Sequence, residues 1–168
     1  MSRRALWNLW LCLTCAALPG CGGLSDPNSK NAADFVLQKG GSLFIVGSTL
    51  EVKSSDKLPE GAFAIQEINL NETKVSDDDL QKLTGLTHLT VLELHSTEIS
   101  DGGLKHLSGL TTLTRLELSY TRISDKGLEQ LAQLKGLQKL YLHGTNQLVT
   151  NGAITKLKQQ LSECEIYR

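Results

Sequence analysis

Two consecutive stretches, VLELHSTEISDGGLKHLSGLTTLT at 91–114 and RLELSYTRISDKGLEQLAQLKGLQ at 115–138, align without a gap. They share 12 of 24 positions, including a Leu-x-Leu start and an Ile-Ser-Asp run further on. The same register extends to blocks that begin at positions 67 and 139. A self-similar period of about 20–29 residues predicts a stack of equivalent structural units.

Each block combines a strand pattern with a helix pattern. Its second and fourth positions are aliphatic and alternate with polar residues, as a strand with one buried face requires. These positions are Ile68, Leu92, Leu116 and Leu140, and then Leu70, Leu94, Leu118 and Leu142. A Ser-Asp pair follows in the first three blocks, where Ser can cap a helix and Asp can face the positive end of its dipole. The sequence therefore predicts parallel strands that each return by a helix.

The pattern LxLxxTxISDxGLxxLxxLxxL resembles the leucine-rich repeat family, in particular its short bacterial secreted and lipoprotein members. The resemblance covers 67–168 and implies an α/β solenoid, a right-handed superhelix of about four 24-residue repeats. It also implies a recognition scaffold, because the concave strand face of that family usually binds a protein or peptide. The fold itself specifies neither a ligand nor a reaction.

The first twenty residues are predicted to be a signal peptide. Two arginines precede the apolar run 5–18, which is shorter than the roughly 20 residues of a membrane span but typical of an export signal. The stretch LPGC at 18–21 resembles a bacterial lipoprotein box, from which Pro19 departs. We expect cleavage before Cys21 and lipid on that cysteine, which predicts a membrane-anchored lipoprotein facing the periplasm or the cell surface. A secreted, soluble protein cut nearby is the alternative.

The next segments are predicted from composition and punctuation. Gly, Ser, Asp and Asn predict a flexible tether over 21–31. An N-terminal cap is expected over 32–66, with a helix at 32–39 followed by two strands, and it should cover the open end of the repeats. The expected buried plug consists of Phe35, Leu43, Ile45 and Phe63.

The end of the chain departs from the period. The last block contains a two-residue insertion, and Ile154, Leu157 and Leu161 form an apolar stripe in its helix. A final short strand is predicted over 163–167, so that 67–168 comprises the repeats and a C-terminal cap. Cys164 alternates within that strand and is expected to be a small buried core residue.

Charge and residue spacing exclude several classes of function. After cleavage the chain carries 15 basic and 18 acidic residues, a net charge of −3 without a basic cluster, so neither nucleic acid nor anionic lipid is an expected partner. His95 and His143 share a column about 10 Å apart, whereas zinc needs ligand atoms about 2.0–2.2 Å from one centre. No nucleophile–base pair or phosphate loop is recognisable. We therefore expect no enzyme activity, metal or cofactor.

The recurring Thr at 73, 97, 121 and 145 is predicted to bond turn backbone in neighbouring blocks. The outward strand positions vary most between blocks, as a specific binding surface would need. The candidate ligand-binding residues are Glu93, His95, Arg115, Glu117, Ser119, Lys139, Tyr141 and His143. The chain is thus predicted to be a lipid-anchored module that binds an unknown protein or peptide. A structural envelope lipoprotein that packs against its own copies is the alternative.

Overall fold

The computed structural model describes residues 25–145 and 148–168, so the predicted signal peptide and Cys21 lie outside the described residues. The strands are β1 Ser42–Ile45, β2 Glu51–Val52, β3 Ile65–Asn69, β4 Val91–Glu93, β5 Arg115–Glu117, β6 Lys139–Tyr141 and β7 Glu165–Tyr167. They form one sheet in the order β2-β1-β3-β4-β5-β6-β7. β1 is antiparallel to both of its neighbours, and β3 to β7 are parallel. The predicted parallel stacking of the blocks is confirmed.

Helical segments connect the strands on one side of the sheet. The α-helices are α1 Ser29–Gln38, α2 Asp101–Leu104, α3 Asp125–Leu131 and α4 Asn151–Gln160, and the 3-10 segments are Ser55–Lys57, Asp77–Leu83 and Lys105–Leu107. The first block thus returns through a 3-10 segment rather than the predicted α-helix. A 3-10 turn aligns residues i and i+3, which still places Leu80 and Leu83 together in the core.

The leucine positions form one continuous core. Leu92, Leu94, Leu116 and Leu118 are completely buried, as the alternation predicted. The four expected plug residues are buried in the same cluster. At the other end, Leu157, Leu161 and Cys164 are buried, and β7 extends the sheet where the last strand was predicted. Hydrophobic burial is therefore unbroken from the first helix to the last strand.

An Asp–Ser ladder links successive blocks on the helical side. The carboxylate of Asp77 accepts from the backbone N–H and hydroxyl of Ser100, and Asp101 binds Ser124 in the same way. Asp125 binds the N–H and hydroxyl of Thr150. The predicted Ser caps of α2 and α3 are confirmed. The aspartates, expected only to face a helix dipole, also join each block to the next.

The recurring threonines act within their own blocks, not between blocks. Each hydroxyl donates to the backbone carbonyl three residues earlier, at Leu70, Leu94, Leu118 or Leu142. The prediction of bonds to neighbouring blocks is therefore wrong. The turn after each strand brings the hydroxyl back to the carbonyl of the residue that directly follows the strand.

The predicted tether at 21–31 is wrong for its described part. Asp26 is buried and accepts from the N–H and hydroxyl of Thr87, at 2.8 and 2.6 Å, while His88 Nδ1 lies 3.1 Å from the same oxygen. The Asn28 amide donates to the carbonyls of Lys82 and Thr84. A polar composition predicted flexibility, but these side chains satisfy backbone groups of the first block and fix the segment to it.

The contacts of Asp26 also affect its ionisation. Burial alone would raise the pKa of Asp26, but the hydrogen bonds from Thr87 and His88 outweigh burial and lower that pKa below its ordinary value. The ionised carboxylate is therefore the form that the docked segment stabilises.

Candidate functional site

The face of the sheet opposite the leucine core, here called the concave face, carries two rows of side chains in strict register. The first concave row is Glu51, Phe44, Glu67, Val91, Arg115, Lys139 and Glu165. The second concave row is Ser42, Asn69, Glu93, Glu117, Tyr141 and Tyr167. Five of the eight predicted site residues lie in these rows. The rows also include β1 and β2, which the sequence interpretation assigned only to a cap.

Arg115 forms the centre of a polar network across three strands. Its Nη2 lies 3.1 Å from Glu93 Oε1, and the Asn71 amide donates to the other Glu93 oxygen at 2.9 Å. The guanidinium carbon of Arg115 is 5.2 Å from the centre of the Tyr141 ring, a cation–π distance. The strands thus place a guanidinium between a carboxylate and an aromatic ring.

Tyr141 and Tyr167 stack on adjacent strands. Their ring centres are 4.7 Å apart with planes inclined by 10°. The Tyr167 hydroxyl donates to the Glu165 carboxylate, and this bond raises the pKa of Tyr167. Tyr167 was missed as a site residue because the last strand was interpreted only as part of a cap. The alternation over 163–167 could have identified it, since it puts Tyr167 in the column of Tyr141.

The positions just beyond the second row do not all face solvent. Ser119 is buried, and its hydroxyl oxygen accepts from the His143 backbone N–H at 3.0 Å. The Asn71 side chain serves the His95 N–H in the same way. The prediction of Ser119 as a ligand-binding residue is therefore wrong, because a short polar side chain here satisfies the backbone of the next block. His143 is exposed and His95 is half-buried.

Glu117 also has an internal contact. One of its carboxylate oxygens accepts from the Ser119 N–H at 2.7 Å, as the Asn69 side chain does for the Asn71 N–H. Lys139 is exposed, and no hydrogen bond or ion pair to its ammonium group is present among the described residues. The predicted residues therefore differ in how free they are to contact a partner.

Tyr120 is an exposed aromatic residue at the rim of this face, and the sequence interpretation missed it. It is 61% exposed and has a positive φ of 57°, at the turn position that Glu72 and Ser96 occupy with similar φ values in earlier blocks. Its ring contacts His95 edge-on, with centres 5.3 Å apart. It also covers Gly144, where a Cβ would lie 2.7 Å from a Tyr120 ring carbon. The sequence could have identified Tyr120 by its position, because it directly precedes the recurring Thr and so lies in the turn after the strand.

Two observations in the described part of the chain concern metal binding and thiol chemistry. Within residues 25–145 and 148–168, no group of three or more His, Cys, Asp and Glu side chains is placed to hold a metal ion. Burial raises the pKa of the Cys164 thiol to about 11, which disfavours the nucleophilic thiolate. The arrangement is suited to contact through charge, hydrogen bonding and aromatic surface.

Comparison with known proteins identifies the architecture. Residues 87–148 match the family model described as "Leucine rich repeat". The match covers the central blocks, and the chain shares the fold of leucine-rich repeat proteins. Its fold is an α/β leucine-rich repeat solenoid, as the period predicted. No curated protein matches the chain.

Two solved bacterial structures share this fold. An internalin (inlF) from Listeria monocytogenes is similar with a TM-score of 0.52 and 24% identity, over 84% of this chain and 36% of that one. An internalin C2 (inlC2) from the same species gives a TM-score of 0.52 and 22% identity, over 84% of this chain and 53% of that one. The chain therefore spans about a third and about half of their lengths. At this identity the likeness concerns the fold.

None of the helices in the described ranges is both long and apolar enough to cross a bilayer.

Proposed function

We propose that this leucine-rich repeat protein is a non-enzymatic recognition module, held in a bacterial envelope by lipid on Cys21, whose concave face binds a protein or peptide. The fold is one of protein-binding repeat modules. The observation that carries the proposal is the contrast between fixed and varied positions. Leucines, aspartates and threonines repeat because they build the solenoid, whereas the concave rows carry carboxylates, cations and tyrosines that the solenoid does not require.

The sequence around Cys21 supports lipid attachment. The docked position of Asp26 determines how far from the membrane the repeats would then lie. If Cys21 carries lipid, only five residue steps separate it from the docked Asp26. Five extended residues span at most about 18 Å, which would keep the first block close to the membrane surface. The anchor would also concentrate copies on one surface and so raise the avidity of weak contacts.

Avidity matters because the concave rows are small. Seven strands spaced about 4.8 Å apart and about 10 Å long give a face on the order of 300 Å2. A standard protein interface covers about 800 Å2 per partner. We therefore expect weak binding by one copy and stronger capture by a membrane carrying many copies.

Capture from an envelope extract tests the recognition function. The full chain is used, because a truncation at residue 32 would remove Asp26 and Asn28 and their contacts to the first block. Variants Glu117→Arg and Tyr141→Ala are expected to lose a captured protein, while Glu129→Arg on α3 retains it. Glu129 is a matched charge reversal, since it lies on the helical side in an exposed pair with Lys156.

The oligomeric state of the same variants distinguishes recognition from the structural alternative. If the protein is a recognition module, sedimentation in detergent should show a monomer. Capture of its partner should require Glu117 and Tyr141. Concentration-dependent self-association that both substitutions leave unchanged would support an envelope lipoprotein that packs against itself, and would contradict the proposal.

Anchoring has a separate test. Labelling of cells with a fatty-acid analogue is expected to mark the wild-type protein and not Cys21→Ala. Both tryptophans, Trp7 and Trp10, precede the predicted cleavage site, so the processed protein should show no tryptophan fluorescence. Tryptophan emission from the purified cellular form would show that cleavage before Cys21 is wrong.

A further inference from the structure

A depression of about 160 Å3 lies on the concave face where β1 and β2 meet β3 and β4. Its apolar lining includes Phe44 and Val91, and its carboxylates come from Glu51, Glu67 and Glu93. The volume is several times the roughly 30 Å3 that one water molecule occupies in the liquid. The depression can therefore admit a side chain that is apolar along its stem and positively charged at its end.

The three carboxylates differ in how far they are already satisfied. Glu51 accepts from the Ser42 hydroxyl and pairs with Lys53 at 2.9 Å, and these contacts lower the pKa of Glu51. Glu93 is held by Asn71 and Arg115. Glu67 is half-buried, and no hydrogen bond or ion pair to its carboxylate occurs among the described residues. Glu67 is thus the carboxylate with capacity for an added cation.

The two concave rows as a whole also favour a positively charged partner. The two concave rows contain five carboxylates and two cationic side chains, Arg115 and Lys139. Arg115 is paired with Glu93, so it offers little attraction to an incoming anion. Complementary charge selects partners and guides their register, which favours a basic segment on this face.

The chain itself shows how this surface holds a guanidinium. Arg115 lies between the carboxylate of Glu93 and the ring of Tyr141. The depression offers a similar combination one step away, with Glu67 as the carboxylate and Phe44 as the ring. Arginine suits such a place better than lysine, because its planar fork binds carboxylates in two-point fashion and stacks on aromatic rings.

We propose that the concave face binds an extended basic segment of a partner protein whose arginine enters this depression and pairs with Glu67. The inference rests on the proposed recognition function and names the ligand chemistry of the same face. The arginine stem lies against Val91 and its guanidinium contacts the Phe44 ring. From β4 to β7 the distance is about 14 Å, so a segment of about six residues reaches from the depression to the Tyr141–Tyr167 stack.

Fluorescence anisotropy with defined peptides tests the inference on the full chain in detergent. The probe is a labelled, amidated hexapeptide that contains one arginine among alanine and serine. Two further probes replace that arginine with lysine or with citrulline, which keeps the shape but removes the charge. We expect saturable binding of the arginine probe with a Kd below about 1 mM, and about tenfold weaker binding of the citrulline probe, a difference of about 1.4 kcal/mol.

Variants locate the binding. Glu67→Gln is expected to weaken binding of the arginine probe about fivefold or more. The variant should stay folded, because the Glu67 carboxylate bonds to no other described side chain. Phe44→Ala should reduce the difference in Kd between the arginine probe and the lysine probe. Asp78→Asn, which removes one exposed carboxylate from the helical side, serves as the matched control and should leave binding unchanged.

Three results would overturn the inference: equal binding of the arginine and citrulline probes, no effect of Glu67→Gln, or no saturable binding up to about 5 mM. A captured envelope protein that still depends on Tyr141 while the arginine probe fails would refute the ligand chemistry alone. Capture that does not depend on Tyr141 would instead refute the recognition function.

Discussion

The Asp–Ser ladder and the concave rows share one 24-residue period but use it in opposite ways. Along the ladder each block presents an Asp to a Ser or Thr of the next block, and each carboxylate makes the same pair of bonds. Along the first concave row the corresponding positions are Glu67, Val91, Arg115 and Lys139, which range from an acid through an aliphatic residue to two cations. Repetition therefore marks positions that hold the blocks together, and variation marks positions that stability leaves free.

The largest effect is expected from the repeated core. Leu118→Ala removes a completely buried side chain and should lower the free energy of unfolding by about 2–5 kcal/mol, from lost burial and the resulting cavity. Urea denaturation of the full chain measures the change. A loss below about 1 kcal/mol would contradict the assignment of Leu118 to the structural positions.

The ladder is expected to be the next most sensitive region. A Cβ at Gly103 would lie 2.7 Å from an Asp77 carboxylate oxygen and 3.2 Å from the Asp77 Cα, so Gly103→Ala should displace Asp77 from Ser100. We expect a loss of about 1–3 kcal/mol, the cost of disturbing partly buried hydrogen bonds to a carboxylate.

Gly152→Ala is the matched control for that substitution. The nearest atom to a Cβ at Gly152 is 3.7 Å away, so the change should be neutral or stabilise α4 by up to about 1 kcal/mol. Equal destabilisation by both substitutions would contradict the role of the ladder, because Gly152→Ala meets no close atom and Ala favours a helix over Gly.

Asp26→Asn extends the comparison to the docked N-terminal segment and to pH. The lowered pKa of Asp26 means that its ionised form stabilises the folded chain above the unfolded-state pKa, near 3.8. That contribution should be about 1–2 kcal/mol at pH 7 and should disappear as pH falls through the folded-state pKa. Urea denaturation at several pH values should therefore show wild type and Asp26→Asn converging below about pH 4. A constant difference between them from pH 7 to pH 3 would rule out this role for the carboxylate.

The smallest stability effect is expected on the concave face. Tyr141→Ala removes the stack with Tyr167 and the contact with Arg115, which should cost about 0.5–1.5 kcal/mol. Tyr141→Phe keeps the ring and should restore most of that stability in the same denaturation assay. A decrease in the free energy of unfolding as large as that of Leu118→Ala would show that the concave rows are needed for stability.

The sequence predicted the repeated features well, because periodic burial leaves a periodic pattern. Leu92 and Leu116, for example, could be assigned to one buried strand face from alternation alone, and the structure buries both completely. The same reasoning placed Tyr141 and Arg115 on the opposite face. Strand register then brought them to within a cation–π contact, which a one-dimensional pattern cannot express.

What the sequence did not predict depends on contacts between distant segments. Asp26 reaches Thr87 across 61 positions, so its polar surroundings predicted a tether although the chain is docked there. Ser119 shares a column with the half-buried His95 and the exposed His143, but its hydroxyl accepts from the backbone of the next block instead of facing solvent. Phe44 belongs to an antiparallel hairpin outside the period, and only the pairing with Glu67 shows that the concave face includes it.

The most direct test of this division measures stability and partner capture on one protein preparation. In a triple variant, Glu67→Gln, Tyr141→Ala and Tyr167→Ala alter the concave rows and leave the leucine core and the ladder intact. We predict that the free energy of unfolding falls by no more than about 2 kcal/mol while capture of the envelope partner is lost. Full capture by the folded triple variant would contradict the assignment of recognition to the concave rows.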